Sequence, residues 1–185
     1  MYSNSGKRIV DIILSLIAFP IFIIIYLIIA PVIYLEDNGP VFFEAERLGK
    51  HGRIFRMYKF RSMKVNVTDL RNADGSTFSS DTDPRVTKIG NFIRVTSIDE
   101  IPQILNVLKG DMSIVGPRPD LPEHITKYVG NEKRKLEVRP GITGYNQAYF
   151  RNSVAWKDRI KHDIYYIDRL TFLMDVKILL KSIIT

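Results

Sequence analysis

The run IILSLIAFPIFIIIYLIIAPVIYL, residues 12–35, holds 24 consecutive residues without a charge, nearly all aliphatic or aromatic. As a straight helix it would reach about 36 Å, more than the roughly 30 Å of bilayer hydrocarbon. A cleaved secretory leader has a shorter apolar core followed by small residues at the cut. Here the run leads into Glu36-Asp37-Asn38-Gly39-Pro40, which has no such pattern. The segment therefore reads as a retained piece of membrane-embedded chain.

Its flanks bear on how it sits. Lys7 and Arg8 precede it, which places the N-terminus on the cytoplasmic side. Arg47, Lys50, Arg53, Arg56, Lys59, Arg61 and Lys64 follow it, with no acid between positions 47 and 64. Both flanks vote for the same side. Pro20, near the centre, cannot donate its backbone hydrogen bond and would kink the helix. A helix–break–helix over residues 1–38, entering and leaving through one leaflet, satisfies both charge signals. An ordinary spanning helix with a tolerated proline is the alternative.

The remainder, residues 39–185, reads as one domain close to the bilayer. The 185-residue chain has 27 Lys+Arg against 20 Asp+Glu, and its 45% hydrophobic content excludes wholesale disorder. It has no cysteine, which excludes disulfides, thiolate metal sites and cysteine nucleophiles. Neither a Walker loop nor a G-x-G-x-x-G fingerprint occurs. Val41-Phe42-Phe43 and residues 53–63 have strand-like content around Gly49-Lys50-His51-Gly52, which predicts a β-hairpin. Residues 66–85, with Asp74-Gly75 and Asp83-Pro84, read as a long polar loop. Ile101, Ile104, Leu105 and Leu108 share one face of a helix that stops at Lys109-Gly110. Asp120-x-x-Glu123 reads as a capping box opening a short helix that ends before Gly130. Residues 153–184 read as helical, with Leu173, Val176, Leu180 and Ile184 on one side. Trp156, Tyr165, Tyr166 and Phe172 among Lys and Arg suit an interfacial helix, or equally a core one.

The chemistry concentrates in Ser97-Ile98-Asp99-Glu100-Ile101-Pro102-Gln103. Ser97-x-x-Glu100 is by itself a capping box. With Asp99 as the cap instead, Pro102 falls where its missing N–H costs nothing. Either way, two adjacent carboxylates sit at a helix N-terminus, which favours their ionised form. An ionised carboxylate can attack phosphorus or bind a hard cation such as Mg²⁺. In Gly116-Pro117-Arg118-Pro119, two prolines present one guanidinium at low entropic cost, and guanidinium suits phosphate oxygens. Lys59, Arg61 and Arg94 could add positive charge.

These stretches resemble the bacterial sugar transferases, in particular the small monotopic phosphoglycosyl transferases. The likeness runs through Asp83-Pro84-Arg85-Val86-Thr87-Lys88-Ile89-Gly90 and Arg94-x-x-Ser97-x-Asp99-Glu100-x-Pro102-Gln103. It continues through residues 105–113, Val115–Pro119 and Arg139-Pro140-Gly141-Ile142-Thr143-Gly144, and ends with Asp163-x-Tyr165-Tyr166 and Asp175. The resemblance implies transfer of a sugar 1-phosphate from a UDP-sugar to polyprenyl (undecaprenyl) phosphate in two steps. Asp99 would attack the β-phosphate, release UMP and hold the phosphosugar, with Glu100 as the second acid of the pair and Mg²⁺ as cofactor. Lys59, Arg94, Gln103, Pro117, Arg118, Pro119, Asp163 and Asp175 match positions expected in or near the site. The implied fold is α+β and helix-rich. It has an N-terminal re-entrant membrane helix, a small β-hairpin and interfacial amphipathic helices around one catalytic domain on the cytoplasmic face of the bacterial inner membrane. Two departures stand out: Phe19 precedes Pro20 where the family often has Ser, and Tyr149-Phe150-Arg151-Asn152 replaces the usual Gly-Arg-Asn.

Two rival functions share the charge. A membrane-anchored adaptor would use residues 47–64 for anionic lipid, and a tethered nucleic-acid binder would stack bases on Phe55, Tyr58 and Phe60. Both leave the Asp-Glu-x-Pro-Gln and Pro-Arg-Pro stretches without a role, so no nucleic acid is expected as a partner. The matching flanks give a direct test of topology. Cysteines introduced at Ser5 and at Asn38 should both react only with reagent on the cytoplasmic side, and labelling of either from outside intact cells would indicate a spanning helix.

Overall fold

A computed structural model describes residues 2–68, 70, 83–150 and 154–184. Asp74-Gly75 of the expected loop and Arg151-Asn152 lie outside the described residues. The apolar run forms one helix, α1 (Lys7–Asp37), of 31 residues. At 1.5 Å per residue it is about 46 Å long. No non-helical residue interrupts it at Pro20 or at Pro31, so a break at Pro20 would have to be a bend within continuous helix. Leu16, Ile17, Leu27, Ile28 and Leu35 all point outward, more than half exposed. Such an aliphatic face is stable in lipid and costly in water.

The chain forms two compact units. One comprises Met1–Pro20, Glu44–Tyr58 and Gln103–Thr185; the other comprises Ile21–Phe43 and Lys59–Pro102. Strands β1 (Phe42–Leu48) and β2 (Ile54–Phe60) pair in a two-stranded sheet, the expected hairpin, whose part from Glu44 to Tyr58 belongs to the first unit. Its turn closes through the Gly49 N–H on the Arg53 carbonyl at 2.8 Å, with His51 and Gly52 in left-handed conformations. Helix α3 (Gln103–Lys109) packs on this hairpin, Val107 and Met112 meeting Ala45, Phe55 and Met57. Full burial of such side chains contributes about 1.5–3 kcal/mol each. Asn106, wholly buried, stitches the two together. Its amide oxygen accepts from the Tyr58 N–H at 2.9 Å, and its amide nitrogen donates to the Arg56 carbonyl at 2.7 Å. Arg8 donates to the Val107 and Leu108 carbonyls at the C-terminal end of α3, where a cation is favoured.

Two three-residue strands, β3 (Ser113–Val115) and β4 (Gly141–Thr143), pair in parallel. Their register sets Ser113 against Gly141 and Val115 against Thr143. The seam is very tight: a Cβ on Gly141 would lie 2.1 Å from the Gly116 nitrogen. Helices α4 (Tyr145–Phe150), α5 (Trp156–Asp168) and α6 (Phe172–Ile184) close over Val115 with Ala148, Tyr166 and Ile178.

In the second unit the rings of Phe22, Tyr26, Phe42 and Phe60 stack. Tyr26–Phe42 and Phe42–Phe60 both lie at 5.6 Å, within 13° of parallel. Arg61 donates to the Asp37 carboxylate at 2.7 Å, fixing the end of α1. Glu36 accepts from the backbone N–H groups of Lys88 and Ile89, which open α2 (Lys88–Val95), and the Thr87 hydroxyl caps the same helix.

Two local expectations are revised. Of the stretch expected as helical, the described part forms two helices, α5 and α6, broken at 169–171, with the Thr171 hydroxyl accepting from the Met174 N–H. The packed side of α6 is Asp175 and Ile178, while Leu173, Leu180 and Ile184 are exposed. Asp120 opens no helix. A 3₁₀ turn runs over Pro122–Lys127 without a side-chain cap, because a buried lysine and two further donors occupy the Asp120 carboxylate.

Asp175 also tests the framework. It pairs with the buried Lys7 and accepts from the hydroxyls of Tyr2 and Tyr166, both at 2.7 Å. Asp175→Asn should leave the Lys7 ammonium buried without a counter-charge and cost about 3–5 kcal/mol. Thermal unfolding in neutral detergent would read this as a lower midpoint, and adding Lys7→Met should recover much of the loss.

Candidate active site

The Asp-Glu pair is built by a strained turn. Ser97 adopts a left-handed conformation, φ 57° and ψ 15°, and its side chain makes no capping bond. Such a backbone costs a non-glycine residue about 1 kcal/mol or more, and it recurs at functional sites. Ile98–Glu100 form one 3₁₀ turn, and α3 begins only at Gln103. The expected capping by Ser97 or Asp99 is therefore absent, and Pro102 lies just before the helix, where its missing N–H is harmless.

The turn carries Asp99 inward, 7% exposed. Lys59, near the end of β2, reaches both acids: its Nζ lies 3.2 Å from Asp99 Oδ2 and 2.7 Å from Glu100 Oε1. Burial pushes the Asp99 carboxyl above its ordinary pKa, opposed by the charges of Lys59 and Arg94 and reinforced by that of Glu100. This corrects the helix-terminus expectation. Desolvation outweighs the dipole because Asp99 sits in a short 3₁₀ turn rather than at the mouth of an α-helix. The cation, not the helix, is what favours ionisation here.

Arg94, on α2, donates from Nε to the Ser62 hydroxyl at 2.8 Å. Burial lowers its pKa, while Asp99 and Asp83 act the other way. Asp83 is itself clamped by Arg85, whose Nε and Nη2 meet the carboxylate at 2.9 and 2.6 Å. The Arg85 hydrogen bonds bring Asp83 down to about 2. The sequence Asp83-Pro84-Arg85 thus folds on itself, and Lys59, Arg94, Asp99 and Glu100 all belong to the second unit.

Gln103, Pro117, Arg118, Pro119, Asp163 and Asp175 belong to the first unit. Gln103 and Pro117 are buried and Arg118 is exposed. The Pro-Arg-Pro loop is fixed by the β3–β4 seam, the Gly116 N–H bonding the Thr143 carbonyl and the Gly141 N–H the Pro117 carbonyl, both at 2.9 Å. Asp163 and Asp175 have internal contacts instead of an open face. Asp163 meets Lys135 at 3.0 Å, and Asp175 meets Lys7. Sequence reading missed Lys135, which is 5% exposed and bridges Asp163 and Asp120. No spacing signal could have paired residues so distant along the chain.

The chain is similar in sequence to several known proteins. The galactosyl transferase CpsE of Streptococcus agalactiae serotype III is 44% identical over 96% of this chain and 41% of its own length. The uncharacterised sugar transferase EpsL of Bacillus subtilis is 42% identical over 94% of this chain and 83% of its own. A third relative, of Aeromonas hydrophila, is 42% identical over 97% of this chain and 43% of its own. It is named UDP-N-acetylgalactosamine-undecaprenyl-phosphate N-acetylgalactosaminephosphotransferase. The chain thus spans about two fifths of two of these relatives and most of the other. The profile described as Bacterial sugar transferase extends over residues 2–185, from before α1 to beyond α6, and the chain belongs to that family.

Proposed function

We propose that the chain transfers a sugar 1-phosphate from a UDP-sugar to undecaprenyl phosphate, releasing UMP, through a covalent intermediate on Asp99. The observation that carries this reading is a buried carboxylate flanked by a second acid and held by one lysine, in a chain of the sugar transferase family. Relatives of similar identity carry galactose and N-acetylgalactosamine in their names, so only the shared part, the sugar 1-phosphate, is taken over.

In the first step an Asp99 oxygen forms a bond to the β-phosphorus, and the bond from that phosphorus to the bridging oxygen breaks. UMP departs with the electron pair. In the second, an oxygen of undecaprenyl phosphate attacks the same phosphorus and displaces Asp99. Lys59 opposes the effect of burial on Asp99, favouring its charged form, and offers positive charge to the phosphate oxygens that approach it. Arg94 adds to the same field, and Arg118 is assigned to the diphosphate.

The donor set fits Mg²⁺. Two adjacent carboxylates suit a hard cation that keeps several waters and takes its other ligands from substrate phosphates. Asp99 and Glu100 would hold the ion, which would neutralise phosphate charge when bound. In this reading α1 enters and leaves the cytoplasmic leaflet with a bend at Pro20. The exposed Leu173, Leu180 and Ile184 of α6 lie in the interface.

Asp99→Asn tests the nucleophile. It should abolish UMP release and the phosphosugar adduct trapped when acceptor is withheld, and peptide mapping should put the wild-type adduct on Asp99. Stability runs the other way. A carboxyl whose folded pKa is raised contributes stability below its unfolded value of about 4, lost as pH rises through the folded value. Removing that charge should leave the variant at least as stable as wild type at pH 7, with the difference shrinking toward pH 4. Arg118→Ala should slow turnover by tens- to several hundredfold, about 2–4 kcal/mol, with membrane association unchanged. Full activity in that variant would take the Pro-Arg-Pro loop out of the mechanism.

A further inference from the structure

Asp120, two residues after Arg118, has more partners than any simple surface acid needs. Its carboxylate accepts from Lys135 Nζ at 2.6 Å, from the Tyr128 hydroxyl at 2.7 Å and from Trp156 Nε1 at 3.1 Å. Its backbone carbonyl accepts from the Leu48 N–H at 2.9 Å. Burial works against its charge, yet Lys135 and the donated hydrogen bonds hold the carboxyl well below the usual range. Lys135 in turn is shared with Asp163, and the two acids raise its pKa although burial opposes the charge. Lys135 thus joins two acids from different parts of the chain in one buried cluster.

Its placement relative to Arg118 is specific. On one side of the loop, Gly116 and Pro117 are bonded into the β3–β4 seam. On the other, Asp120 ties the chain to β1, α5 and the 3₁₀ segment Gly130–Glu137, which carries Lys135. Arg118 stands between the two clamps, flanked by prolines that limit its own backbone. Pro117, Arg118, Pro119, Tyr128 and Lys135 line one shallow cleft with Asp120. The clamps leave the guanidinium exposed on a backbone with little freedom to move.

We infer that Asp120 is a positioning residue for Arg118, setting the orientation of the Pro-Arg-Pro loop through the Lys135, Tyr128 and Trp156 cluster. The inference rests on the proposed phosphoryl transfer and deepens it. A carboxylate so fully bonded has no oxygen left for substrate chemistry. Its effect on the reaction passes through the loop it holds.

A double-mutant cycle tests this, with UMP release from a UDP-sugar by the full chain in detergent as the readout. Asp120→Asn keeps the size and leaves Lys135 its Asp163 partner, so the fold should survive. It should slow turnover about ten- to a hundredfold, the range expected when a catalytic group is displaced by a fraction of an ångström to an ångström. In an Arg118→Ala background the same change should have little further effect, within about twofold of Arg118→Ala alone. Tyr128→Phe removes one bond from the hub and should give a smaller slowing that likewise vanishes without Arg118. Asp168→Asn, which breaks an exposed pair with Arg134 at 2.7 Å, should leave the rate unchanged. Additive losses in the two backgrounds would make Asp120 merely structural, and wild-type rates in both Asp120→Asn and Tyr128→Phe would also overturn the inference. A normal rate in Arg118→Ala would instead remove the assignment of Arg118 on which the inference stands, and no UMP release by wild type would remove the parent reading.

Discussion

A carboxylate taken out of water stays charged only beside a cation, and the pairing of Asp99 with Lys59 is the constraint around which the second unit is arranged. Lys59 is the cation nearest to Asp99 and also meets Glu100, so the lysine and the two acids must arrive in register. Lys59 comes from the end of β2, which Phe60 anchors among the stacked rings of Phe22, Tyr26 and Phe42. Asp99 comes from a left-handed turn at Ser97, directly after α2. The strain of that turn is offset by the packing of Ile93 and the bond from Arg94 to Ser62. The pair resembles a spring held by its surroundings more than a stabilising contact.

The first unit solves a different problem, which is how to present an arginine without letting it wander. Gly116 and Gly141 approach so closely that no side chain fits between them, and the seam passes its rigidity to the loop beside it. The charged residues behind the loop are neutralised internally, Lys135 by Asp120 and Asp163, and Lys7 by Asp175. Buried charge here fixes geometry at a cost in stability, which is the trade expected where position matters more than strength.

Much of this was readable in the residues. The apolar run and the hairpin follow from composition and from Gly49-Lys50-His51-Gly52, and α3 follows from helical spacing. Strands β3 and β4 were not readable, since three residues carry no periodicity and their partner lies almost thirty positions away. The break at 169–171 was hidden because the apolar residues of α6 continue the period of α5 while facing outward. At the site, adjacency made the Asp-Glu pair visible, but its burial was not. Spacing suggested a helix terminus, whereas the tertiary fold placed Asp99 inside with Lys59. Asp120 was mistaken for a cap because its true partners, Lys135 and Trp156, are 15 and 36 residues distant.

The two ends of α1 are held by different sets of polar contacts. At the first end Lys7 binds Asp175, Arg8 binds the Val107 and Leu108 carbonyls, and Asp11 accepts from Ser113 and Ile114. At the other end Asp37 binds Arg61, and Glu36 takes the N-terminus of α2. Each end of α1 is thus tied by charge within its own unit. Between the ends, Leu16, Ile17, Leu27 and Ile28 are more than half exposed, an aliphatic face that is costly in water and stable in lipid. Polar anchoring at the ends and an apolar middle are what fit one helix to be both a membrane element and a structural part of the units it joins.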